Sequence, residues 1–294
     1  MNVARPRLLY RLIGWASPLF VGTVERVGPE KARRGMTSSA RLPAALMGQH
    51  FELQEVADEQ VAGVPIRRYR PAAAQPGVVV FIHGGGWVLG DLNTYDRTAR
   101  TLAAKTAREV VSVDYRRAPE ARYPAALDDC VAVVRSLAAQ GPVAVVGDSA
   151  GGNLAAAVAQ VVPVAAQVLL YPVTDTANEH PSYERFRDGP LLTAAMMRYF
   201  RETYVPSHEQ RLQSGASPLL AAHVNHVAPA YVVVAECDVL HDEGVAYAER
   251  LQAAGVDTTL DEVPGTIHGF MTLLGLPEAR QTMNRATTWL KQRL

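Results

Sequence analysis

The sequence predicts an α/β fold: a central, mostly parallel, eight-stranded sheet flanked by helices and covered by a helical cap. Three observations predict it. Short runs rich in Val, Ile, Leu and Tyr recur along the chain, as in strands that are buried on both faces. Segments with helical character separate most of these runs, and such alternation builds a parallel sheet with helices on both faces. Residues 174–226 interrupt the alternation with polar, aromatic and proline-rich sequence, which is typical of an inserted segment.

The composition is that of a globular chain with a large core, and it gives no sign of nucleic-acid binding. The 294 residues are 48% hydrophobic and 20% charged, and the net charge is zero. No run approaches the ~18 apolar residues of a membrane-spanning helix. The two cysteines, Cys130 and Cys237, lack the spacing of a metal site. The sequence does not decide whether a disulfide joins them. We therefore expect one integrated, cytoplasmic domain with no stable membrane insertion.

Residues 1–45 are predicted to form helices of the cap. Residues 1–50 contain eight Arg or Lys and two Glu, a balance of +6 that leaves −6 for the remainder. Arg5, Arg7 and Arg11 precede the apolar stretch Leu12–Phe20, which loosely imitates a secretory signal but is broken by Pro18. We interpret the stretch as an amphipathic helix with a solvated basic side. Contact with a membrane or an acidic partner is the alternative.

The strands and helices can be predicted in chain order from periodicity and from turn residues. Alternating residues predict an antiparallel strand pair, Phe51–Ala57 and Val64–Arg70, around a turn near Ala62-Gly63. Continuous apolar runs predict buried strands, and Pro124 and Gly255 suit the start of one helix and the end of another. The other predicted elements are strand Gly77–Ile82, helix Arg97–Arg108, strand Glu109–Tyr115, helix Tyr123–Gln140, strand Val143–Val146, helix Asn153–Ala159, strand Ala166–Pro172, helix Thr193–Tyr204, strand Ala230–Glu236, helix Asp242–Ala254, strand Thr258–Val263 and helix Pro277–Leu294.

The segment Gly147–Gly152 reads Gly-x-Ser-x-Gly between a predicted strand and a predicted helix. This context is typical of a nucleophile elbow, a sharp turn that holds the hydroxyl of Ser149 clear of the sheet. Glycine is expected at 147 and 151 because a side chain there would collide with the opposite limb of the turn. An ordinary glycine-rich βα loop is the alternative.

A second glycine-rich segment, His83-Gly84-Gly85-Gly86, follows the predicted strand Gly77–Ile82. Consecutive glycines allow backbone N–H groups to turn inward, and with the N–H of Ala150 they would form an oxyanion hole. A phosphate-binding loop is the competing interpretation. It fits poorly because no Gly-Lys-Ser/Thr follows and the glycines do not have the spacing Gly-x-Gly-x-x-Gly.

A serine nucleophile also needs a base and an acid that orients the base. His268 lies in a glycine-flanked loop after the last predicted strand, where the order Ser, acid, His places the base. His83 comes before the elbow and is expected to support the glycine loop. Asp238, two residues beyond a strand, is the preferred acid. Asp242, as a helix cap, and Glu236, at the strand end, are the alternatives.

The other histidines suggest no metal centre. His223 and His226 stand three residues apart, but no carboxylate or Cys pattern accompanies them, so we expect no metal site. His180, His208 and His241 are interpreted as surface or cap residues.

These motifs resemble the hormone-sensitive-lipase-like family of α/β-hydrolase esterases, in its bacterial branch. The matching pieces run in family order from about residue 50 to the C-terminus: His-Gly-Gly-Gly-Trp at 83–87, Asp-Tyr-Arg-Arg-Ala-Pro-Glu at 114–120, Pro-Ala-Ala-Leu-Asp-Asp at 124–129, Gly-Asp-Ser-Ala-Gly-Gly at 147–152, Ser-Pro-Leu-Leu at 217–220, Glu-Cys-Asp-Val-Leu-His-Asp-Glu at 236–243 and Ile-His-Gly-Phe at 267–270. Two departures are Arg117, where the family often has Leu, and Val239, where Pro is frequent.

The resemblance implies a role for each motif residue. It implies Ser149 as nucleophile, Asp238 as acid and His268 as base. It also implies Gly85, Gly86 and Ala150 as oxyanion donors, with Gly84 as a turn residue that is a possible fourth donor.

The resemblance further implies an α/β-hydrolase fold and a carboxylesterase that acts on short- to medium-chain acyl esters without a cofactor or metal, as a monomer or homodimer. Residues 46–175 and 227–294 would form the catalytic domain, and 1–45 and 176–226 the cap. Amide or formamide hydrolysis by the same residues is the alternative, and a non-catalytic small-molecule-binding protein is a more distant one. Five aromatic residues either line the acyl pocket or form the core of the cap: Trp87, Tyr183, Phe186, Tyr199 and Phe200.

Overall fold

The computed structural model describes the backbone of residues 4–20, 24–39 and 42–294. The strands are β1 (Glu55–Val61), β2 (Val64–Arg70), β3 (Gln75–Ile82), β4 (Arg108–Val113), β5 (Val143–Asp148), β6 (Ala166–Leu170), β7 (Ala230–Cys237) and β8 (Thr258–Ile267). The helices are α1 (Leu8–Phe20), α2 (Val24–Val27), α3 (Pro29–Ser39), α4 (Ala44–Met47), α5 (Asp96–Thr106), α6 (Ala125–Ala138), α7 (Ala150–Val161), α8 (Pro181–Arg185), α9 (Ala194–Tyr204), α10 (His208–Arg211), α11 (His241–Ala253) and α12 (Pro277–Lys291). Of the predicted helical segment 1–45, residues 1–3, 21–23, 40 and 41 lie outside the described residues.

All eight strands join in one sheet, in the order β1-β2-β4-β3-β5-β6-β7-β8. Strand β2 is antiparallel to both of its neighbours, and every pairing from β4 to β8 is parallel. The central strand β5 is buried along its whole length. Because helices cover both faces, such a strand reads as a continuous apolar run rather than an alternating one. The predicted α/β-hydrolase fold with a mostly parallel eight-stranded sheet is confirmed.

The helices that follow the strands cover the two faces of the sheet. Helix α5 packs against α12, whereas α6 packs against α7. Helix α11 contacts the same short 3-10 helix, Pro218–Leu220, as α7 does. Helices α8 to α10 occur between β6 and β7, within the stretch that interrupts the alternation of strands and helices.

Strand β1 begins four residues later than predicted and continues to Val61. The turn explains why the strand continues to Val61, since Ala62 and Gly63 have φ of 52° and 80°. Two consecutive positive φ values are the signature of a two-residue type I′ hairpin turn, which lets the ladder continue up to the turn itself. Val61 accordingly pairs with Val64, and the pairing extends back to Glu55 opposite Arg70.

Strand β8 is longer than predicted, because Pro264 and Gly265 do not end it. The register between β7 and β8 shifts after Ala235 pairs with Val263, and pairing resumes at Cys237 and Ile267. Proline and glycine mark such an irregularity within a strand as well as a loop. Gly265 has φ of 69°, and its N–H donates to Glu236 Oε2 at 2.6 Å.

The structure also bears on the predicted absence of a membrane-spanning helix and on the question, open from the sequence, of a bridge between the cysteines. No helix in the described part of the chain is long and apolar enough to cross a membrane. Cys130 and Cys237 are both buried and are not joined by a disulfide.

The register brings the ends of the central strands together. Ile82 at the end of β3 pairs with Gly147 near the end of β5, and Cys237 at the end of β7 pairs with Ile267 at the end of β8. The residues that directly follow these ends therefore meet at the carboxyl edge of the sheet, which is where open α/β sheets place their sites.

Candidate active site

Ser149 lies in a tight, strained turn between β5 and α7. Its φ of 55° and ψ of −118° are unusual for a residue with a side chain. The turn requires glycine beside it, since a Cβ on Gly147 would lie 2.1 Å from the carbonyl oxygen of Gly151. A Cβ on Gly151 would instead lie 2.0 Å from the carbonyl oxygen of Ile82, so that glycine is required by the neighbouring strand rather than by the opposite limb of the turn.

Ser149, His268 and Asp238 form a continuous chain of hydrogen bonds. The Nε2 atom of His268 lies 2.9 Å from Ser149 Oγ, and its Nδ1 lies 2.7 Å from Asp238 Oδ2. The other oxygen of Asp238 accepts a hydrogen bond from the N–H of Leu240 at 3.0 Å. Asp238 is 2% exposed, whereas Ser149 and His268 are 7% and 9% exposed. This arrangement can take a proton from a serine hydroxyl and stabilise the imidazolium that results.

The alternative acids are held by other partners. Asp242 pairs with Arg185, and His241 Nδ1 lies 2.8 Å from its Oδ1. Asp242 lies within the first turn of α11. The cap position that was predicted for it is occupied by Leu240, which makes no side-chain hydrogen bond there. Glu236 accepts the hydrogen bond from Gly265 described above. Only Asp238 of the three carboxylates contacts His268.

The segment Gly84–Gly86 runs directly beside the elbow. Gly85 and Gly86 have φ of 113° and 61°, and a Cβ on Gly86 would lie 2.3 Å from the Phe200 ring. Among the described residues, no acceptor takes a hydrogen bond from the N–H of Gly85, Gly86 or Ala150. These three groups are therefore free to bind an oxyanion. The N–H of Gly84 is different, because it already donates to Asp148.

Asp148 joins the glycine segment to the elbow, a role that was not predicted from its place in the sequence. Its Oδ1 accepts from the Gly84 N–H at 2.8 Å, and its Oδ2 accepts from the Tyr95 hydroxyl at 3.1 Å. The carboxyl group is fully buried, and burial raises its pKa from 3.8 to about 6, against the lowering effect of these hydrogen bonds. The available signal was an acidic residue at the end of a strand that is otherwise entirely apolar.

Asp148→Asn is expected to change how stability depends on pH. A carboxyl group whose pKa is raised in the folded state favours folding most below its unfolded pKa, and that advantage is lost as pH rises through about 6. Asparagine keeps an acceptor for Gly84 and never ionises. The melting temperature of the variant relative to the wild type should therefore rise between about pH 4 and pH 7.5, by roughly 5 °C. A difference that stays constant over this range would contradict the raised pKa.

His83 supports the glycine segment from behind, as its position in the sequence predicts. Its Nδ1 donates to the carbonyl oxygen of Gly84 at 2.8 Å, and its own carbonyl accepts from the Tyr115 hydroxyl at 2.8 Å. The ring stacks between Tyr115 and Tyr95, at centroid distances of 4.4 and 5.5 Å. Burial lowers the pKa of His83 to about 4, so the ring is neutral at pH 7.

Two arginines hold the far side of the same loop, and neither was predicted to do so. Arg117 donates to the carbonyl oxygen of Gly90. Arg33, on α3, donates to the carbonyls of Val88 and Ala118, both at 2.8 Å, and forms a bidentate pair with Glu120. The departure from the family pattern at 117 therefore adds a contact to the loop, and the basic N-terminal segment contributes one directly.

Four of the five aromatic residues named in the sequence analysis are buried, and two of them lie beside the glycine segment. The ring of Phe200 lies against Gly86, and Trp87 stacks on Tyr204 with centroids 4.8 Å apart. Tyr183 and Phe186 are also buried, and Tyr199 is half-buried. Phe200 is thus placed to limit the space beside the glycine segment.

The start of the inserted segment is anchored by a buried carboxyl group on α11. Glu243 Oε1 accepts from the N–H groups of Thr174 and Asp175, at 2.8 and 3.3 Å. Burial raises the pKa of Glu243 well above its ordinary value. Asn153, on α7, adds two bonds to the carbonyls of Val173 and Ala216. These contacts attach the start of the segment to α11 and α7, and Ala216, near its end, to α7.

Comparison with known proteins gives one consistent result. A family model described as α/β hydrolase fold matches residues 79–272. The chain is 39% identical over 229 residues to an ethyl acetate hydrolase of Pseudomonas putida, covering 71% of this chain and 72% of that protein. It is 36% identical over 287 residues to the carboxylesterase NlhH of Mycobacterium tuberculosis, covering 91% and 90%. Among solved structures, a hyperthermophilic esterase from the archaeon Pyrobaculum calidifontis superimposes with a TM-score of 0.91 at 30% identity, covering 98% of each chain.

Proposed function

The chain belongs to the hormone-sensitive-lipase-like ester hydrolases of the α/β-hydrolase fold, and from this premise we propose that it cleaves short- to medium-chain acyl esters through a Ser149-His268-Asp238 triad. The observation that carries the proposal is the unbroken hydrogen-bond chain of 2.9 and 2.7 Å through the two nitrogens of His268. Relatives of known activity are named for ester hydrolysis, which favours esters over amides as the substrate class.

In the proposed mechanism Ser149 Oγ attacks the ester carbonyl while His268 Nε2 takes the hydroxyl proton. Asp238 holds the imidazole so that Nε2 faces the serine, and its negative charge stabilises the imidazolium. His268 then gives the proton to the departing alkoxide, which leaves as an alcohol. Water attacks the acyl-enzyme in the second half, with His268 again as base, and the carboxylic acid is released. In this proposal each proton transfer runs through His268.

The oxyanion of both tetrahedral intermediates would be held by the N–H groups of Gly85, Gly86 and Ala150. Each such donor contributes on the order of 3 kcal/mol to lowering the barrier. The Gly84 N–H is committed to Asp148 in this proposal, so Gly84 acts as a turn residue. The hydrogen bond from Gly84 to Asp148 keeps the oxyanion donors aligned with Ser149, because Asp148 is the residue directly before the nucleophile.

The preference for short acyl chains is supported by what surrounds the glycine segment. Phe200, which comes from α9, is 4% exposed and its ring touches Gly86. In the proposal, residues 1–45 and 176–226 form the cap over the catalytic domain of residues 46–175 and 227–294, and Phe200 is the cap residue that restricts the acyl pocket. The substrate is a small ester that reaches Ser149 without distorting this ring.

Nitrophenyl esters from acetate to palmitate test the substrate class. We expect kcat/KM to be highest for acyl chains of about two to six carbons and to fall by at least tenfold at palmitate, because a longer chain must displace Phe200. The matched nitroanilides should be at least a hundredfold slower if ester hydrolysis is the function. Faster anilide turnover would assign amide hydrolysis, and a folded enzyme that is inert on every compound would favour the non-catalytic binding protein.

A further inference from the structure

Helix α1 directs three leucines into solvent. Among the described residues, Leu8, Leu9 and Leu12 are three of the five large hydrophobic side chains that are exposed, at 69%, 46% and 55%. At 100° per residue they occupy an arc of about 100° on the helix. Tyr10 lies on the opposite side, where it is buried and donates to Glu278. We call the three leucines the α1 apolar face.

Cationic side chains border the α1 apolar face. Arg5 and Arg11 are exposed, and no carboxylate of the described residues lies within ion-pair distance of either one. Arg7 is different, because it pairs with Glu278. The sequence contains no Asp or Glu before Glu25. Residues 4–20 thus accompany the exposed leucines with positive charge alone. Glu184 and Asp188, which line a surface depression with Ala4 and Pro6, are themselves paired with Arg187.

We propose that the α1 apolar face docks on an anionic phospholipid membrane. The leucines would enter the boundary between headgroups and acyl chains, while Arg5 and Arg11 bind the lipid phosphates. Both components are needed to recognise such a surface, and both are present within eight residues. The helix would lie in the plane of the interface without crossing it.

A lipid surface fits this face better than a second copy of the chain does. Self-association through the face would bring together two sets of unpaired arginines with no acidic residue from either helix, and like charges repel. A membrane also requires no shape complementarity, which a face of three leucines on a convex helix does not offer.

The location of α1 connects this surface to the candidate active site. Gly14 of α1 packs so closely on Pro190 that a Cβ there would lie 2.0 Å from the proline Cβ. The next residue, Leu191, lies near Gly269, which directly follows His268. Gly14 lies on the side of α1 opposite the leucines, so docking would hold the segment beside His268 about one helix diameter, roughly 10 Å, from the lipid, where apolar esters dissolve.

Vesicle sedimentation of the full chain tests the proposal independently of any activity. We expect binding to vesicles that contain about one quarter phosphatidylglycerol at about 20 mM NaCl, and binding about thirtyfold weaker to pure phosphatidylcholine or after R5Q/R11Q, given the contribution of two arginines. The variant L8S/L9S/L12S should bind at least tenfold less. Binding should also weaken strongly at about 500 mM NaCl, because salt shortens the Debye length and screens the attraction between the arginines and the lipid phosphates.

The chain provides matched controls for both components. Within the described part of the chain, Val161 and Leu212 are the other exposed large hydrophobics, and Arg122 is an exposed arginine elsewhere. V161S/L212S and R122Q should bind vesicles as the wild type does, and all variants should melt with the wild type. Absence of binding at low salt, or equal loss in the controls, overturns the proposal. Formation of a dimer that L8S/L9S/L12S abolishes, without vesicle binding, would assign the face to a second copy and overturn it as well.

Discussion

Ser149→Ala is expected to lower kcat on a short-chain nitrophenyl ester by a factor on the order of 10⁶, which corresponds to about 8 kcal/mol of barrier. The loss would be this large because, in the proposed mechanism, Ser149 Oγ forms the bond to the acyl group. His268 and the glycine N–H groups remain, but they have no nucleophile to activate. A slow residual rate from binding and oxyanion stabilisation should persist.

The variant tests the nucleophile without disturbing the fold. Ser149 is the residue with the strained φ of 55°, and alanine preserves both Cβ and backbone. We therefore expect the melting temperature to stay within a few degrees. Ser214→Ala is the matched control, since Ser214 is exposed and its change should leave kcat as it is. A phosphonate ester should add one covalent label to the wild type and none to Ser149→Ala. Full activity or full labelling of the variant would exclude Ser149 as the nucleophile.

The parts of the site that the sequence predicts are those fixed by position along the chain. Strand ends can be read from apolar runs, and a parallel sheet brings every strand end to one edge. Ser149, Asp238 and His268 each follow a predicted strand, so their meeting requires only the order of the strands. The elbow, in which Ser149 alone separates strand from helix, likewise specifies a local conformation, which Gly147 makes possible.

The parts that the sequence does not predict depend on contacts between distant segments. Arg33 reaches the carbonyl of Val88, 55 positions away, and nothing in the helix α3 sequence indicates that partner. Asp148 appears as one letter of a motif until its bond to Gly84 is known. The continuation of β8 past Pro264 and Gly265 was not predicted for a different reason. Proline and glycine signal both loops and irregular strands, and only the pairing with β7 decides between them.

Asp238→Asn is expected to reduce kcat by a factor on the order of 10⁴ with little change in KM. The carboxylate now accepts from Nδ1 of His268, which leaves Nε2 unprotonated toward Ser149. An asparagine amide at the same place would donate to Nδ1 instead. The imidazole would then carry its proton on Nε2, where it cannot accept the serine proton. The amide oxygen can still accept from Leu240, so the acid loop should keep its shape.

Asp242→Asn is the control that makes this result specific. Asp242 lies four residues away and also contacts a histidine, but its partners are His241 and Arg185. We expect this variant to keep kcat within about threefold of the wild type, since surface ion pairs contribute little. The comparison is made by kcat on one short-chain ester, with both melting temperatures measured. Loss of turnover in Asp242→Asn with retention in Asp238→Asn would reverse the assignment of the acid. Equal, large losses in both would indicate that the loop after β7, rather than one carboxylate, orients His268.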